Sequence, residues 1–173
     1  MKQFILFITL LLVFPFVAAA DNFMVRVLPD RPEVYAGDSM LVSVVLYAEH
    51  PIAQAECKTD FQIKGKCRVR RLNIHREATG GRVREGQHIY YTLVWAQYVV
   101  APEKVGTYTL PAQKFDAVLN EVVSMPDFFD QMMGARPEYR EHKASAKSHP
   151  FKFEVKPKPL RSTIEMMRHG QVL

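Results

Sequence analysis

The two cysteines are the residues of this chain whose chemistry is most constrained by their spacing. Nine residues separate Cys57 from Cys67, and the sequence on either side is typical of strands. Redox-active pairs usually have the C-x-x-C spacing at the start of a helix, where the thiolate is stabilised. If the chain is exported, an even number of cysteines favours a disulfide, here closing a loop of about 11 residues worth roughly 3 kcal/mol. A reactive thiol pair, free thiols or metal-bound thiols are the alternatives.

Arginines are concentrated in the stretch that follows Cys67. They are Arg68, Arg70, Arg71, Arg76, Arg82 and Arg84. Guanidinium groups suit bidentate recognition of carboxylates and phosphates, so Arg68, Arg70, Arg71, Arg82 and Arg84 are candidate partner-binding residues for an acidic protein or anionic headgroups. The alternative is a solvated face of two strands whose charges discourage edge pairing.

An apolar segment near the middle of the chain is the second candidate contact surface. Residues 122–133 contain Met125, Phe128, Phe129, Met132 and Met133. Methionine and aromatic side chains are typical of adaptable binding surfaces, so Phe128, Phe129 and Met132 are candidate partner-binding residues. Alternatively, Phe128 and Phe129 fold back to cap one end of the domain.

No motif indicates catalysis, a metal or a cofactor. None of the six histidines pairs with another at the i,i+2 or i,i+4 spacing of metal ligands. No serine lies in a G-x-S-x-G setting, and there is no glycine-rich phosphate loop. We therefore predict no catalytic, cofactor-binding or metal-binding residue and no enzyme activity. The net charge of +5 is too small and too dispersed to indicate nucleic-acid binding.

The N-terminus has the three-part layout of a secretory signal peptide. Lys2 precedes an apolar run from Phe4 to Val17, and the three small residues Ala18, Ala19 and Ala20 follow it at a plausible cleavage site. The run is only about 14 residues long, whereas a membrane-spanning helix needs roughly 20. We predict cleavage near Ala20 and export of residues 21–173 to the periplasm, without a transmembrane helix. Release outside the cell is the alternative.

Short segments of alternating apolar and polar residues, separated by turn signals, predict an all-β fold. The clearest strands are 39–48, 88–100 and 150–156. Residues 61–64 and 67–74 are less regular; we expect Arg68, Arg70 and Arg71 to face outward, with a bulge near Arg70. The prediction is an Ig-like antiparallel β-sandwich of about 7–8 strands over residues 21–160, with a closed barrel as the alternative.

Two further expectations concern the irregular parts of the chain. We expect one long loop over about 120–148, with a helical turn near 128–133. A C-terminal tail over 161–173 follows the domain, with a frayed helix at 164–169.

Several segments, in order, resemble the BatD family, the exported "oxygen tolerance" proteins of the Bat operon in Bacteroidetes-type bacteria. They are RPEVYAGD (31–38), GKCRVRRLN (65–73), GQHIYYT (86–92), APEKVGTYTLPAQKF (101–115) and SHPFKFEVKP (148–157). Together they extend over nearly all of residues 23–159.

The resemblance implies an Ig-like domain that binds other envelope proteins, with Bat-type proteins as partners and no established active site. Family members usually continue into further Ig-like domains and a transmembrane helix, whereas this sequence ends at Leu173. A non-catalytic binding module is therefore the first hypothesis. A periplasmic thiol–disulfide protein, a surface or fibre subunit and a carbohydrate-binding sandwich are the alternatives, and the oligomeric state is left open.

Overall fold

The computed structural model describes residues 22–74 and 80–158. The predicted signal peptide and the predicted helix at 164–169 lie outside these ranges. The described strands are β1 (Phe23–Pro29), β2 (Val34–Tyr35), β3 (Met40–Ala48), β4 (Ile52–Cys57), β5 (Cys67–Arg71), β6 (Gly80–Glu85), β7 (His88–Pro102), β8 (Gly106–Leu110), β9 (Lys114–Ser124), β10 (Glu138–Lys147) and β11 (Phe151–Lys156). A short helix, α1 (Phe128–Met132), lies between β9 and β10.

The strands form three sheets. Sheet I has the order β1-β3-β7, and β5 and β6 both pair with the far side of β7, one after the other along its length. Sheet II has the order β10-β9-β4, and sheet III the order β2-β11-β8. All described pairings are antiparallel except the short parallel pairing of β2 with β11.

Sheet I packs against sheets II and III together, which form the second layer. The core between sheets I and II consists of Phe23, Val25, Val44, Leu46, Ala48, Phe115, Ala117 and Leu119. The core between sheets I and III consists of Val34, Met40, Val42, Val100, Tyr108 and Val155. The predicted antiparallel β-sandwich is confirmed, because alternate residues of β3, β7 and β9 are buried between two layers.

Two aromatic side chains join the two cores. Phe61 and Tyr98 each pack against both, and their rings stack with centroids 3.7 Å apart. Phe61 lies in the connection between β4 of sheet II and β5 of sheet I. The predicted strand at 61–64 is wrong, because this segment crosses between layers and pairs only through an isolated bridge of Lys64 with Thr109.

Tyr108 fixes the turn between β7 and β8. Its buried hydroxyl lies 2.9 Å from the Lys104 carbonyl oxygen, four residues upstream, and 3.1 Å from the Lys66 carbonyl oxygen. A tyrosine bonded to upstream backbone in this way is similar to the tyrosine corner of Ig-like sandwiches. It ties the β7–β8 turn to the segment that leads into β5.

The expected long loop at 120–148 is mostly a β-hairpin. Strand β9 continues to Ser124, and β10 runs from Glu138 to Lys147, so only residues 125–137 connect them. Strand β6 was also not predicted, and the eleven described strands exceed the expected seven or eight. Strands β6 and β10 were missed because they are rich in charged or exposed residues and are stabilised by pairing with β7 and β9 and not by burial of apolar side chains.

The outer face of sheet I is spanned by a bidentate ion pair. Arg26 of β1 donates to both carboxylate oxygens of Glu85 of β6, at 2.5 and 2.7 Å, across the intervening strands β3 and β7. The guanidinium group lies 4.7 Å from the centre of the Tyr47 ring. The hydrogen bonds from Arg26 lower the pKa of Glu85 and raise that of Arg26. The pair links the two edges of the sheet over the buried Val45, Tyr47 and Tyr90.

We predict that Gly65→Ala destabilises the domain more than Gly37→Ala. Both glycines have positive φ, +131° and +86°, which costs an L-residue about 1–2 kcal/mol. A Cβ at Gly65 would also lie 2.4 Å from Tyr108 Cδ1, whereas nothing lies within 4 Å of one at Gly37. Displacing the buried ring adds about 1–3 kcal/mol, measurable by chemical denaturation. Equal losses in the two variants would contradict this packing.

We predict that Glu85→Gln lowers stability at neutral pH and has less effect in acid. The folded-state pKa of Glu85 lies below its unfolded value. Its contribution is therefore present above the unfolded pKa and is lost as the pH falls through the folded pKa. Thermal melts at about pH 7 and about pH 3 should show the difference between wild type and variant shrinking. In an Arg26→Gln background the same substitution should have little effect at either pH.

Candidate functional site

The two cysteines are free thiols in the structure, so the expected disulfide is not present. Cys57 ends β4 of sheet II, and Cys67 begins β5 of sheet I, so they belong to opposite layers. Cys57 Sγ donates to the Thr59 carbonyl oxygen at 3.0 Å. Burial raises the pKa of the Cys67 thiol, and the nearby Glu103 carboxylate adds to the increase. A raised pKa disfavours the thiolate that nucleophilic chemistry requires.

The arginines of β5 and β6 do not share one face. Residues directly opposite each other in an antiparallel pair project to the same side. Arg68 and Arg70 are opposite Ala101 and Val99 on the outer face of sheet I. Arg71 is opposite the inward-facing Tyr98, so the expectation that it faces outward is wrong. Strict alternation continues to the end of β5, without the expected bulge near Arg70.

The arginines of β6 also lie on the inner side of sheet I. Arg82 and Arg84 are opposite Tyr91 and Ile89. The Arg82 guanidinium group lies 4.6 Å from the centre of the Tyr91 ring. The candidate basic surface is therefore divided into an outer pair, Arg68 and Arg70, and an inner group, Arg71, Arg82 and Arg84.

The outer pair has an acid nearby. Arg68 Nε lies 3.9 Å from a Glu103 carboxylate oxygen, and Lys66 Nζ lies 3.6 Å from the other. Their side chains are largely exposed, so these ion pairs add little to stability.

The hairpin of β9 and β10 carries the predicted apolar segment at its end. Strand β4 pairs with β9 only as far as Leu119, so the ends of β9 and β10 extend beyond it as a two-stranded stem. Within the connection, Asp127 caps α1 by accepting a hydrogen bond from the Asp130 amide at 2.8 Å. Gln131 Nε2 donates to the Pro126 carbonyl oxygen at 2.8 Å. These bonds give the end of the hairpin a defined local structure.

We call residues 125–133 the hairpin tip. Its apolar side chains do not fold back onto the sandwich, since α1 has no buried residue. The exposed fractions are 80% for Phe128, 70% for Phe129 and 73% for Met132, and Met125 and Met133 are similarly exposed. Val122, Val123 and Tyr139 of the stem are also exposed. Monomeric soluble proteins seldom expose large apolar patches without a binding role, so the cluster of apolar side chains makes the tip a candidate binding surface.

A groove opens where the two layers part, between β4 of sheet II and β7 of sheet I. Its larger part is a cleft of about 1000 Å³ with Ile52, Leu72, Ile74, Leu93 and Trp95 among its lining and Arg71 at one side. Strand β7 has a β-bulge at Trp95, because the consecutive residues Val44 and Val45 of β3 are opposite Ala96 and Val94. This bulge turns the indole toward the core, where it meets the Phe115 ring edge-on at 5.6 Å.

The smaller part of the groove continues toward β6. A recess of about 410 Å³ shares Ile52 and Leu93 with the cleft and adds Tyr91 and Arg82 to the lining. Among the described residues, the lining of the groove between Arg71 and Arg82 is mostly apolar, with Gln54 and Asn73 as polar members.

Two of the contacts in the described part of the chain involve histidines. His50 and His142 meet edge-on with ring centroids 5.5 Å apart, and His88 Nδ1 lies 3.1 Å from a Glu49 carboxylate oxygen. Within residues 22–74 and 80–158, no group of three or more histidine, cysteine or acidic residues could hold a metal ion. In the same two ranges, no helix is long and apolar enough to cross a membrane.

Comparison with known proteins gives no match: no family model, no curated protein and no solved structure is similar to the chain. The resemblance to the BatD family therefore stays a prediction.

The groove could not be predicted from the sequence. Its lining comes from β4, the end of β5, and β7, which are distant in the chain, and it exists because two layers diverge. Exposure of the hairpin tip was one of the two alternatives that the sequence left open, the other being that Phe128 and Phe129 cap one end of the domain; their exposure in the structure decides for the first.

We predict that the native protein, without reductant, is alkylated at Cys57 faster than at Cys67. The thiolate is the reactive form, and burial raises the pKa of Cys67 and so reduces its thiolate fraction. Peptide mass spectrometry after timed exposure to iodoacetamide measures both rates. Complete protection of both cysteines until reductant is added would instead mean that a disulfide joins them. Cys67→Ser should leave the rate at Cys57 unchanged.

Proposed function

We propose that this chain is a non-catalytic protein-binding module that is exported to the bacterial cell envelope and binds through its hairpin tip. The observation that carries the proposal is the exposure of Phe128, Phe129 and Met132 at the end of a structured hairpin. Aromatic and methionine side chains in such a position serve as anchors that fill a partner's pocket.

The energetics support a binding role for the tip. Full burial of one such side chain stabilises a complex by about 1.5–3 kcal/mol. Five such side chains of the tip are exposed to water in the free molecule. Hydrogen bonds from Gln131 to Pro126 and from the Asp130 amide to Asp127 already order the segment. A partner would therefore gain the burial while paying little for ordering the tip.

The charges around the tip favour a protein partner over an anionic membrane. Asp127, Asp130 and Glu138 are within or next to the connection, and Arg136 is the one basic residue there. Acidic groups are repelled by anionic headgroups. The partner we propose presents an apolar pocket with a basic rim.

Export to the envelope rests on the sequence. The first 20 residues fit a cleavable signal peptide, and residues 23–159 resemble the BatD family, whose members act in envelope protein assemblies. Bat-type proteins are therefore the first partners to examine.

The other hypotheses find less support. Thiol–disulfide exchange needs an accessible, acidic thiol, whereas the pKa of Cys67 is raised. Carbohydrate binding usually uses an exposed aromatic face, whereas Trp95 packs edge-on against Phe115 in the core. A fibre-subunit role is compatible with the tip, but no second observation favours it.

We predict that the double variant Phe128→Ser, Phe129→Ser loses its envelope partner. Both side chains are largely exposed, so the fold and the melting temperature should be kept. The test is affinity capture from envelope extract by the chain without its first 20 residues, with quantification of each captured protein by mass spectrometry.

The matched control is the double variant Arg68→Glu, Arg70→Glu on the outer face of sheet I. A partner bound by the tip should be lost with the serine variant, at least about tenfold, and kept with the glutamate variant. The reverse pattern would assign binding to the outer arginines and contradict the proposal.

A further inference from the structure

Strand β10 has an unpaired edge. Among the residues that the structure describes, β10 pairs with β9 on one side and with no strand on the other. The Asn120 amide donates to the Pro51 carbonyl oxygen on the β4 side of β9, so the backbone groups of its β10 partner Glu141 point away from β9. By alternation, those of Lys143 and Ser145 do so too. An unpaired edge of this kind is a template for a further strand.

The charges of this edge are complementary to themselves when two copies of the chain meet antiparallel. If His142 of one copy is opposite His142 of a second, Glu141 of each copy is opposite Lys143 of the other. From this match we infer that two copies pair through β10 in this register and form a two-fold dimer joined by two cross-strand ion pairs. The inference goes beyond the proposed function, since β10 and the hairpin tip are different surfaces.

Glu141 and Lys143 are both available for these ion pairs. They lie on the outer face of sheet II, because their β9 partners alternate with the buried Ala117 and Leu119. Both are exposed, and neither forms an ion pair with another described residue. Side chains directly opposite each other in an antiparallel pair have Cβ atoms about 4.5–5.5 Å apart, so each carboxylate can reach an ammonium group.

The neighbouring registers are less favourable. A shift that places Glu141 opposite Glu141, or Lys143 opposite Lys143, brings like charges together and destabilises the strand pair. Larger shifts shorten the paired segment, for example from 138–146 to 141–147 when Glu141 is opposite Lys147. The charge pattern of β10 therefore favours a single register.

The same pairing supplies a third strand to the stem of the hairpin. Strand β4 reaches only Leu119, whose β10 partner is His142, so residues 138–141 belong to a two-stranded ribbon. A ribbon of two strands is marginally stable in water unless further strands are added. In the dimer, residues 138–141 of each copy pair with 143–146 of the other. The two hairpin tips then lie at opposite ends of the joined sheet and stay free to bind.

The first test reverses one charge at a time. Glu141→Lys and Lys143→Glu each place two like-charge pairs in the dimer, so each variant should have a dissociation constant at least about tenfold higher than wild type. Analytical ultracentrifugation over a concentration series measures it. Wild type should form dimers and nothing larger, since a two-fold contact closes on itself. The double variant Glu141→Lys, Lys143→Glu should dimerise like wild type, because opposite charges again face each other.

Mixing the two single variants should restore association, because every cross-strand pair in the mixed dimer then joins opposite charges. The matched control is Lys147→Glu, which makes the same charge change on the same face of β10. Lys147 lies outside the paired segment 138–146, so this variant should dimerise like wild type. All three substituted residues are exposed, and circular dichroism checks that the variants are folded.

A cysteine cross-link determines the register. In a chain carrying Cys57→Ser and Cys67→Ser, His142→Cys places a thiol on the two-fold axis at a non-hydrogen-bonded pair, where Cα atoms are about 4.5 Å apart. That distance lies within the range of disulfides, so mild oxidation should give a covalent dimer. The matched control is Ala144→Cys, on the same face of β10 but opposite Arg140 of the second copy, which should remain uncross-linked.

Three outcomes would overturn the inference. Wild type that remains a monomer throughout would show that the β10 edge does not self-associate, and affinity capture through the tip would still test the proposed function separately. A mixture of the two single variants that does not associate would show that Glu141 and Lys143 are not opposed. Cross-linking of Ala144→Cys in preference to His142→Cys would contradict the register.

Discussion

The positions of the candidate arginines and of the groove depend on the pairing of β7. This fifteen-residue strand pairs with β3 on one side and with β5 and β6 on the other. Because opposed residues share a face, the register of β7 determines the side on which each arginine lies. A single extra residue, Trp95, shifts the alternation of β7 relative to β3 at mid-strand. The strand therefore places inward-facing side chains in both cores while its middle lines the groove.

The sequence predicted those elements whose apolar residues alternate. Strands β3, β7 and β11 were recognised because their inward positions are valine, leucine or aromatic residues that are buried in the sandwich. Strand β10 escaped prediction because its half-buried positions are His142, Ala144 and Ala146, which are polar or small and lack the large β-branched or aromatic side chains typical of strands. Its ten-residue pairing with β9 is a tertiary feature that single-residue preferences do not encode.

The sequence identified the candidate residues, but it did not predict on which face of the sheet each of them lies. The consecutive Arg70 and Arg71 favoured a bulge, because both were expected to be solvent-facing. Alternation instead persists, and Arg71 projects toward the opening between the layers, where a charged side chain can remain exposed on the inner side. Residue type alone could not distinguish the arginines of the outer face from those beside the groove. The cysteines illustrate the same limit, since their even number favoured a disulfide while both are free thiols in the structure.

The order of the hairpin tip bears on how such a module can bind. If its five apolar side chains belonged to a flexible loop, binding would have to offset the entropy of fixing roughly a dozen backbone residues, about 1–2 kcal/mol each. The β9–β10 ladder, which has one irregularity between Glu138 and Tyr139, and the cap of α1 instead give the segment a defined local structure. The free protein is instead destabilised by the apolar surface that the tip exposes to water. Such a surface gains most from a partner whose pocket is already formed.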